Sequence, residues 1–328
     1  MPVLTVAERE ALRVENFIFH AVHHGLPAPT LFDEVPIGDF EPFFVGRVID
    51  TLKGNRFAFD ERSATLEGLR TIDADPAEFV AVSKALATAF HDDDDRHKQG
   101  ILIVLSLVTN GRRLYSLIKY DYGDRVLGVV EQDAVAILTA VAKPLTENKK
   151  SLQKSALIEL NEAGGELVVI DHSMRSGITV FFRDFLQVTR MQSEAEMTTA
   201  LSKSLLRTIQ AHAGDLPEDI ATGWRKKLDG IALRRPEFDE DQLFADLFGA
   251  HGTEAIRGTY VEQLAAVRLD GQSFRFDRNA LPAAGPQKFR TSEGIEITVP
   301  EAAAETFEKV KDGDTYVITI RTTSIVQK

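Results

Sequence analysis

Apolar residues in this chain fall first at helical spacing, then in alternation, then at helical spacing again, and finally in short alternating runs. Residues 5–24 read as a helix, or a helix followed by a strand, with Leu12, Phe17, Ile18 and Phe19 apolar; the His23-His24-Gly25 break and the Pro27 and Pro29 turn close the segment. Phe40, Phe43, Phe44, Val48, Ile49 and Leu52 recur at three- and four-residue steps and predict a core helix over 40–52. Phe79, Val82, Leu86 and Phe90 predict another over 78–90. The period then drops to two. Ile101–Val108 is a continuous apolar run, Asn110-Gly111 signals a type I′ hairpin, and Arg113–Tyr120 alternates on the return. Further strands are expected at 126–130, 155–160 and 166–170, with a helix over 133–142 stopped by Pro144. Strands follow strands here instead of alternating with helices, so the predicted class is α+β, with a mixed, largely antiparallel sheet and packed helices.

From Asp171 the helical period returns. Ile178, Phe181, Phe182, Phe185, Leu186 and Val188 share one arc at 100° per residue, while Thr179, Arg183, Gln187 and Arg190 share the other. On a continuous helix Arg183 and Arg190 would sit two turns apart, about 10 Å along the axis, as a short exposed basic stripe. Glu196–Ala213 predicts a second helix, with Met197, Leu201, Leu205 and Ile209 inward and Lys203 and Arg207 one turn apart outside. Trp224-Arg225-Lys226-Lys227 and Arg234-Arg235-Pro236 flank a further helical patch, and Asp241–Phe248 predicts a helix burying Leu243, Phe244, Leu247 and Phe248. The segments 274–276, 287–290, 295–299, 307–310 and 316–320 then predict a small terminal sheet, its last pair joined at Asp312-Gly313. The division expected from this pattern is an N-terminal α+β domain over 1–170 and, over 171–328, a helical basic segment followed by a small β-rich domain.

With 328 residues, two domains are the expectation. Hydrophobic residues make up 44% and charged residues 27%, which is globular composition, and no apolar run approaches the length of a membrane span. The N-terminus has no signal pattern and the chain has no cysteine, so a cytoplasmic protein without a disulfide framework is expected. The net charge of −12 argues against indiscriminate adhesion to nucleic acid. The charge is uneven, however. Residues 1–100 carry 18 Asp/Glu against 10 Lys/Arg, whereas residues 171–235 carry 10 Lys/Arg against 8 Asp/Glu. A DNA site therefore belongs in the middle of the chain, and the acidic half faces away or engages something basic.

Candidate catalytic chemistry is sparse. His20, His23 and His24 beside Asp33 and Glu34 match no zinc spacing, and the His91–Asp95 run lacks the glycine and the spaced glutamate of a calcium loop. Asp171-His172-Ser173 contains the residue types of a hydrolytic triad, but sequence neighbours seldom converge as a triad must. Ser173 or Ser176 is read instead as a cap for the following helix, with Asp171 near its positive end. Gly164-Gly165 and Ser292-Glu293-Gly294 are turns without a phosphate-binding fingerprint around them. No catalytic residue, metal ligand or cofactor is assigned. The basic residues Lys149, Lys150, Lys154, Arg175, Arg183, Arg190, Lys203, Arg207, Arg225, Lys226 and Lys227 fall within one part of the chain, and phosphate contacts of this kind supply most nonspecific DNA affinity.

The segment Arg175–Val188, RSGITVFFRDFLQV, resembles the Gly/Arg segment and aromatic-rich F-x-x-D-F-(L/I) helix of the bacterial NdpA family of nucleoid-associated proteins. Further similarities run in order along the chain: Glu15–His20 with the Pro27–Glu34 turn, the 40–52 and 78–90 helices, the Gly100–Val108 strand, Phe276-Asp277-Arg278, and the Lys288–Val299 strand pair. The resemblance implies a cytosolic, nucleoid-located DNA-binding protein without catalytic machinery or cofactor, and places Arg175, Arg183 and Asp184 in the matching segment. The functional expectation is weakly sequence-selective binding of double-stranded DNA, by a homodimer, through Arg175, Arg183, Arg190, Lys203, Arg207, Lys149 and Lys150. The alternative is a protein-interaction or phage-defence module that uses the acidic N-terminal lobe on a basic or chromosome-associated partner, with DNA contact incidental. A metal-dependent nuclease using His20, His91 or the aspartate run ranks last.

Overall fold

The computed structural model describes residues 4–92, 98–121, 152–174, 176–282, 285–300 and 306–325. The chain divides into two compact units: Met1–Ser193 with Glu237–Glu240 and Asp270–Arg275, and Glu194–Pro236 with Asp241–Leu269 and Phe276–Lys328.

The first unit is built on a seven-stranded sheet: β1 (Arg13–Val22), β2 (Asn55–Phe59), β3 (Gly100–Thr109), β4 (Arg112–Asp121), β5 (Leu152–Asn161), β6 (Gly164–Asp171) and β7 (Val188–Arg190). Its order is β1-β3-β4-β5-β6-β2-β7, and every pairing is antiparallel. The Asn110-Gly111 signal is realised as a tight turn, with φ 45° and 79°, that pairs Thr109 with Arg112.

Both faces of this sheet are covered, which explains why β3 reads as an almost continuous apolar run, interrupted at Ser106. Odd-numbered β3 residues Ile101, Ile103, Leu105 and Leu107 join Phe17, Phe19, Ile118 and Tyr120 beneath α2 (Glu41–Thr51), which contributes Phe44 and Val48. Even-numbered Leu102 and Val104 join Ile18, Val22, Phe57, Leu117, Ile158, Leu167 and Val169 on the other face. That face packs against α3 (Ala64–Ala74), α4 (Phe79–Phe90) and α5 (Val180–Leu186) through Leu69, Ile72, Leu86, Phe90, Phe182 and Leu186. The segment read as helix or helix-then-strand is the latter, with α1 (Val6–Ala11) opened by a Thr5/Glu8 capping box and followed by β1.

In the second unit α6 (Glu194–Ala211) packs against α10 (Glu254–Ala266), and Ser204 Oγ donates to the Gln263 carbonyl at 3.0 Å. Between them in sequence lie α7 (Glu218–Ala221), α8 (Trp224–Arg234) and α9 (Glu240–Phe248). Met197, Leu201, Leu205 and Ile209 are buried as their spacing predicts, as are Leu243, Phe244, Leu247 and Phe248. Phe244, Phe248 and Tyr260 form a ring cluster with centroids 5.0–6.4 Å apart.

Several expectations change. The helix after Asp171 spans only Val180–Leu186, and Val188 and Arg190 belong to β7, so Arg183 and Arg190 do not form a stripe on one helix. Phe274-Arg275-Phe276 is not a strand: Arg275 makes one isolated bridge to Glu237, and the Phe274 ring packs tilted against Phe238, centroids 4.9 Å apart. The terminal strands form two separate hairpins, β8 (Gln287–Arg290) with β9 (Glu296–Val299), and β10 (Phe307–Asp312) with β11 (Thr315–Ile320). The expected strand at 126–130 and helix at 133–142 lie outside the described residues. No helix among the described residues is long and apolar enough to cross a membrane.

Candidate nucleic-acid interface

Two devices fix the position of α5 in the first unit. At its start Thr179 is the N-cap, its hydroxyl accepting from Phe182 N–H at 3.4 Å. Thr179 is held in turn by buried Asp171 at the end of β6, whose Oδ2 accepts from Thr179 N at 2.9 Å, Thr179 Oγ1 at 2.7 Å and Lys154 Nζ at 2.6 Å. Asp171 Oδ1 accepts from Ser173 N–H at 3.0 Å. Burial pushes the Asp171 carboxyl up, but the hydrogen bonds from Lys154 and Thr179 outweigh it and hold it below the usual carboxylate range. The cap is therefore Thr179, not Ser173 or Ser176. Asp171 serves it as an anchor, and Lys154, counted among the basic residues in sequence, is an internal ion-pair partner.

At the other end Gln187 adopts φ 52° and closes the helix by donating its N–H to the Arg183 carbonyl. The last carbonyls are satisfied from the start of α3: Ser63 Oγ donates to Leu186 O and Thr65 Oγ1 to Phe185 O, each at 2.8 Å. The Gln187 side chain accepts from Ala64 N–H at 2.6 Å. β7 then adds to the edge of β2, pairing Val188 with Phe59 and Arg190 with Phe57.

These connections frame an open cleft of about 700 Å³, floored by Phe57, Ile178 and Val188 and bordered by Asp60, Arg62, Gly177, Arg183, Asp184, Gln187, Thr189 and Arg190. Its lining includes three arginines and two aspartates. Arg183 is exposed and pairs with its neighbour Asp184 at 3.2 Å, both side chains more than half exposed. Such a pair contributes about 0–1 kcal/mol, so a phosphate can displace it at little cost. Arg62 is exposed at the N-terminal side of α3. Arg190 is half-buried and more constrained, because its Nη2 donates to Asn55 Oδ1 at 2.8 Å and to the Ser273 carbonyl at 2.6 Å. Asn55 Oδ1 also accepts from Ser273 N–H at 2.9 Å, so Arg190 helps fasten the 270–275 segment to β2.

The remaining sequence-selected residues are distributed differently. Lys203 and Arg207 are exposed on the polar face of α6 in the second unit, and neither forms an ion pair among the described residues. Arg175, Lys149 and Lys150 lie outside the described residues. Sequence reasoning missed Arg62, which becomes significant only when α3 is placed beside α5. The one local signal was Ser63, which caps α3 by accepting from Leu66 N–H at 3.1 Å.

The histidines considered as metal ligands have other partners. His20 is fully buried; its Nδ1 accepts from Phe32 N–H at 3.2 Å, which leaves the proton on Nε2, aimed at Ser83 Oγ 2.9 Å away. Burial, with Lys84 nearby, lowers its pKa to about 4. No group of three or more His, Asp or Glu among the described residues is placed to hold a metal ion.

Among known proteins, the family model described as nucleoid-associated protein YejK matches residues 47–323, which include β2, α3, α5, β7 and the whole second unit apart from its last residues. No curated protein matches the chain. A match over most of the length leads to one conclusion: the chain belongs to the nucleoid-associated protein YejK family.

Proposed function

We propose that the protein binds double-stranded DNA in the bacterial nucleoid, as a homodimer and with weak sequence selectivity. In this reading Arg183, Arg62 and Arg190 at the cleft, and Lys203 and Arg207 on α6, contact phosphates; Arg175, Lys149 and Lys150 complete the set. Family membership across residues 47–323 carries the reading. The cleft adds a physical reason: it gathers three arginines on a chain whose net charge is −12. A protein of that charge is repelled by DNA at long range, so affinity has to come from a local basic surface at short range. Contacts of this kind fix position on the backbone without reading bases, which accounts for the weak selectivity.

The test is a fluorescence-anisotropy titration of a duplex at low and moderate salt, comparing wild type with Arg62→Glu/Arg183→Glu and with Lys203→Glu/Arg207→Glu. Arg190 is left unchanged because its loss would also release the 270–275 segment. Each phosphate contact contributes roughly 0.9 to the slope of log affinity against log salt, so each double variant is expected to flatten the slope by up to about 2. Unchanged affinity and slope in both variants would reject the assignment.

A further inference from the structure

The β10–β11 hairpin of the second unit has one protected edge and one bare edge. Its strands are joined by a two-residue turn with Gly313 at φ 58°, and Phe307 pairs with Ile320, Lys309 with Ile318, Val310 with Val317 and Lys311 with Tyr316. One face is partly covered: Phe307 stacks on Phe289 at 5.0 Å, and Lys309 Nζ sits 5.1 Å from the Phe289 ring while donating to Glu218 Oε1 at 2.7 Å. The β10 strand carries Glu308, Lys309, Lys311 and Asp312, the charges that normally keep an edge from pairing with another chain. The β11 strand, Thr-Tyr-Val-Ile-Thr-Ile, carries none. Tyr316, Val317 and Ile320 are each more than half exposed. Among the described residues no strand pairs with the outer edge of β11.

The geometry of that edge specifies what fits it. Ladder hydrogen bonds alternate along an antiparallel strand, and the residues flanking a two-residue turn, here Asp312 and Thr315, bond to each other. Counting from the turn, Tyr316, Ile318 and Ile320 direct their N–H and C=O groups away from β10. A second β11, antiparallel about a two-fold axis at Ile318, meets those same groups. It places Ile318 opposite Ile318 of the second copy, Tyr316 opposite its Ile320, and Val317 opposite its Thr319. Aromatic–β-branched and β-branched pairs are the stabilising cross-strand combinations, and with no charge in either strand nothing repels across the axis.

We propose that β11 is a homodimer surface, joining two copies of the chain into a four-stranded β10-β11-β11-β10 sheet. DNA does not fit this edge, because the two acids and two lysines of β10 cancel and β11 supplies no charge for phosphate. A strand pair of six residues buries less than a standard stable interface, so association is expected in the micromolar range. The proposal rests on the dimeric part of the function proposed above and names its surface.

Because the chain has no cysteine, Ile318→Cys introduces its only thiol. Residues opposite each other at the axis have Cα atoms about 5.5 Å apart, within disulfide range. Mild oxidation of the full-length variant is expected to give a covalent dimer, whereas Val317→Cys, which faces Thr319 of the second copy, is expected to stay largely uncrosslinked. Sedimentation of wild type from about 1 to about 100 µM should show a monomer–dimer shift. Val317→Lys/Thr319→Lys, which sets lysine against lysine at two exposed pairs, should abolish that shift while leaving the thermal midpoint near that of wild type. Monomeric wild type throughout would overturn both the dimer and its surface. A dimer that persists in the lysine variant, or cross-links equally through position 317, would overturn the surface alone. Neither result bears on the anisotropy test of DNA contact.

Discussion

Asp171 is the residue on which the geometry of α5 turns. Its carboxylate is buried and accepts from Lys154, from both Thr179 donors and from Ser173, while Lys154 is also nearly buried. Removing one partner of a buried pair leaves the other charge uncompensated, so Asp171→Asn is expected to cost about 3 kcal/mol in urea unfolding. A cost below about 1 kcal/mol, typical of an exposed pair, would show that the cluster does not anchor the helix. His20 makes a separate prediction. Its folded pKa of about 4 lies below its ordinary value of 6.5, so protonation favours the unfolded chain. Its contribution is complete above about pH 6.5 and is lost as pH falls toward 4, up to about 3 kcal/mol. His20→Asn should flatten the dependence of stability on pH in that window, and an unchanged profile would contradict the assignment.

The elements around the cleft show how far periodicity reaches. Phe182 and Leu186 were legible as the inner arc of α5, and Met197 through Ile209 as the inner face of α6, because burial imposes a helical repeat. The end of α5 was not legible. Nothing in the composition of Gln187 marks a left-handed residue, and the groups that terminate the helix, Ser63 and Thr65, come from more than a hundred residues earlier. For the same reason Arg190 seemed to continue a helical stripe when it belongs to an edge strand bonded to Asn55 and Ser273. Arg62 was passed over because only the tertiary meeting of α3 with α5 brings it to the cleft. Ser63 therefore links the two elements twice, as the cap of α3 and as a donor to α5. Ser63→Ala should cost about 1–2 kcal/mol in chemical denaturation and lower protection from hydrogen exchange in both helices. Loss confined to α3 would mean that the α5 carbonyl finds another donor.

At the scale of the molecule, the α+β class was legible from the hairpin signal and the run of consecutive strands, while the order β1-β3-β4-β5-β6-β2-β7 was not, since it depends on which edges β2 and β7 join. Charge distribution matters more here than net charge. In the proposed function an acidic chain meets DNA through a confined basic surface, for which the three arginines of the cleft and the two cations of α6 are the candidates on their respective units. The proposed β11 pairing would double the number of such surfaces and so add avidity without any new contact to DNA. The most direct test of this account is the salt-dependent anisotropy titration with Arg62→Glu/Arg183→Glu. The account predicts duplex binding that weakens steeply as salt rises, and a variant with lower affinity and a shallower slope. A wild type that does not bind duplex at low salt, or a variant indistinguishable from it, would contradict the account.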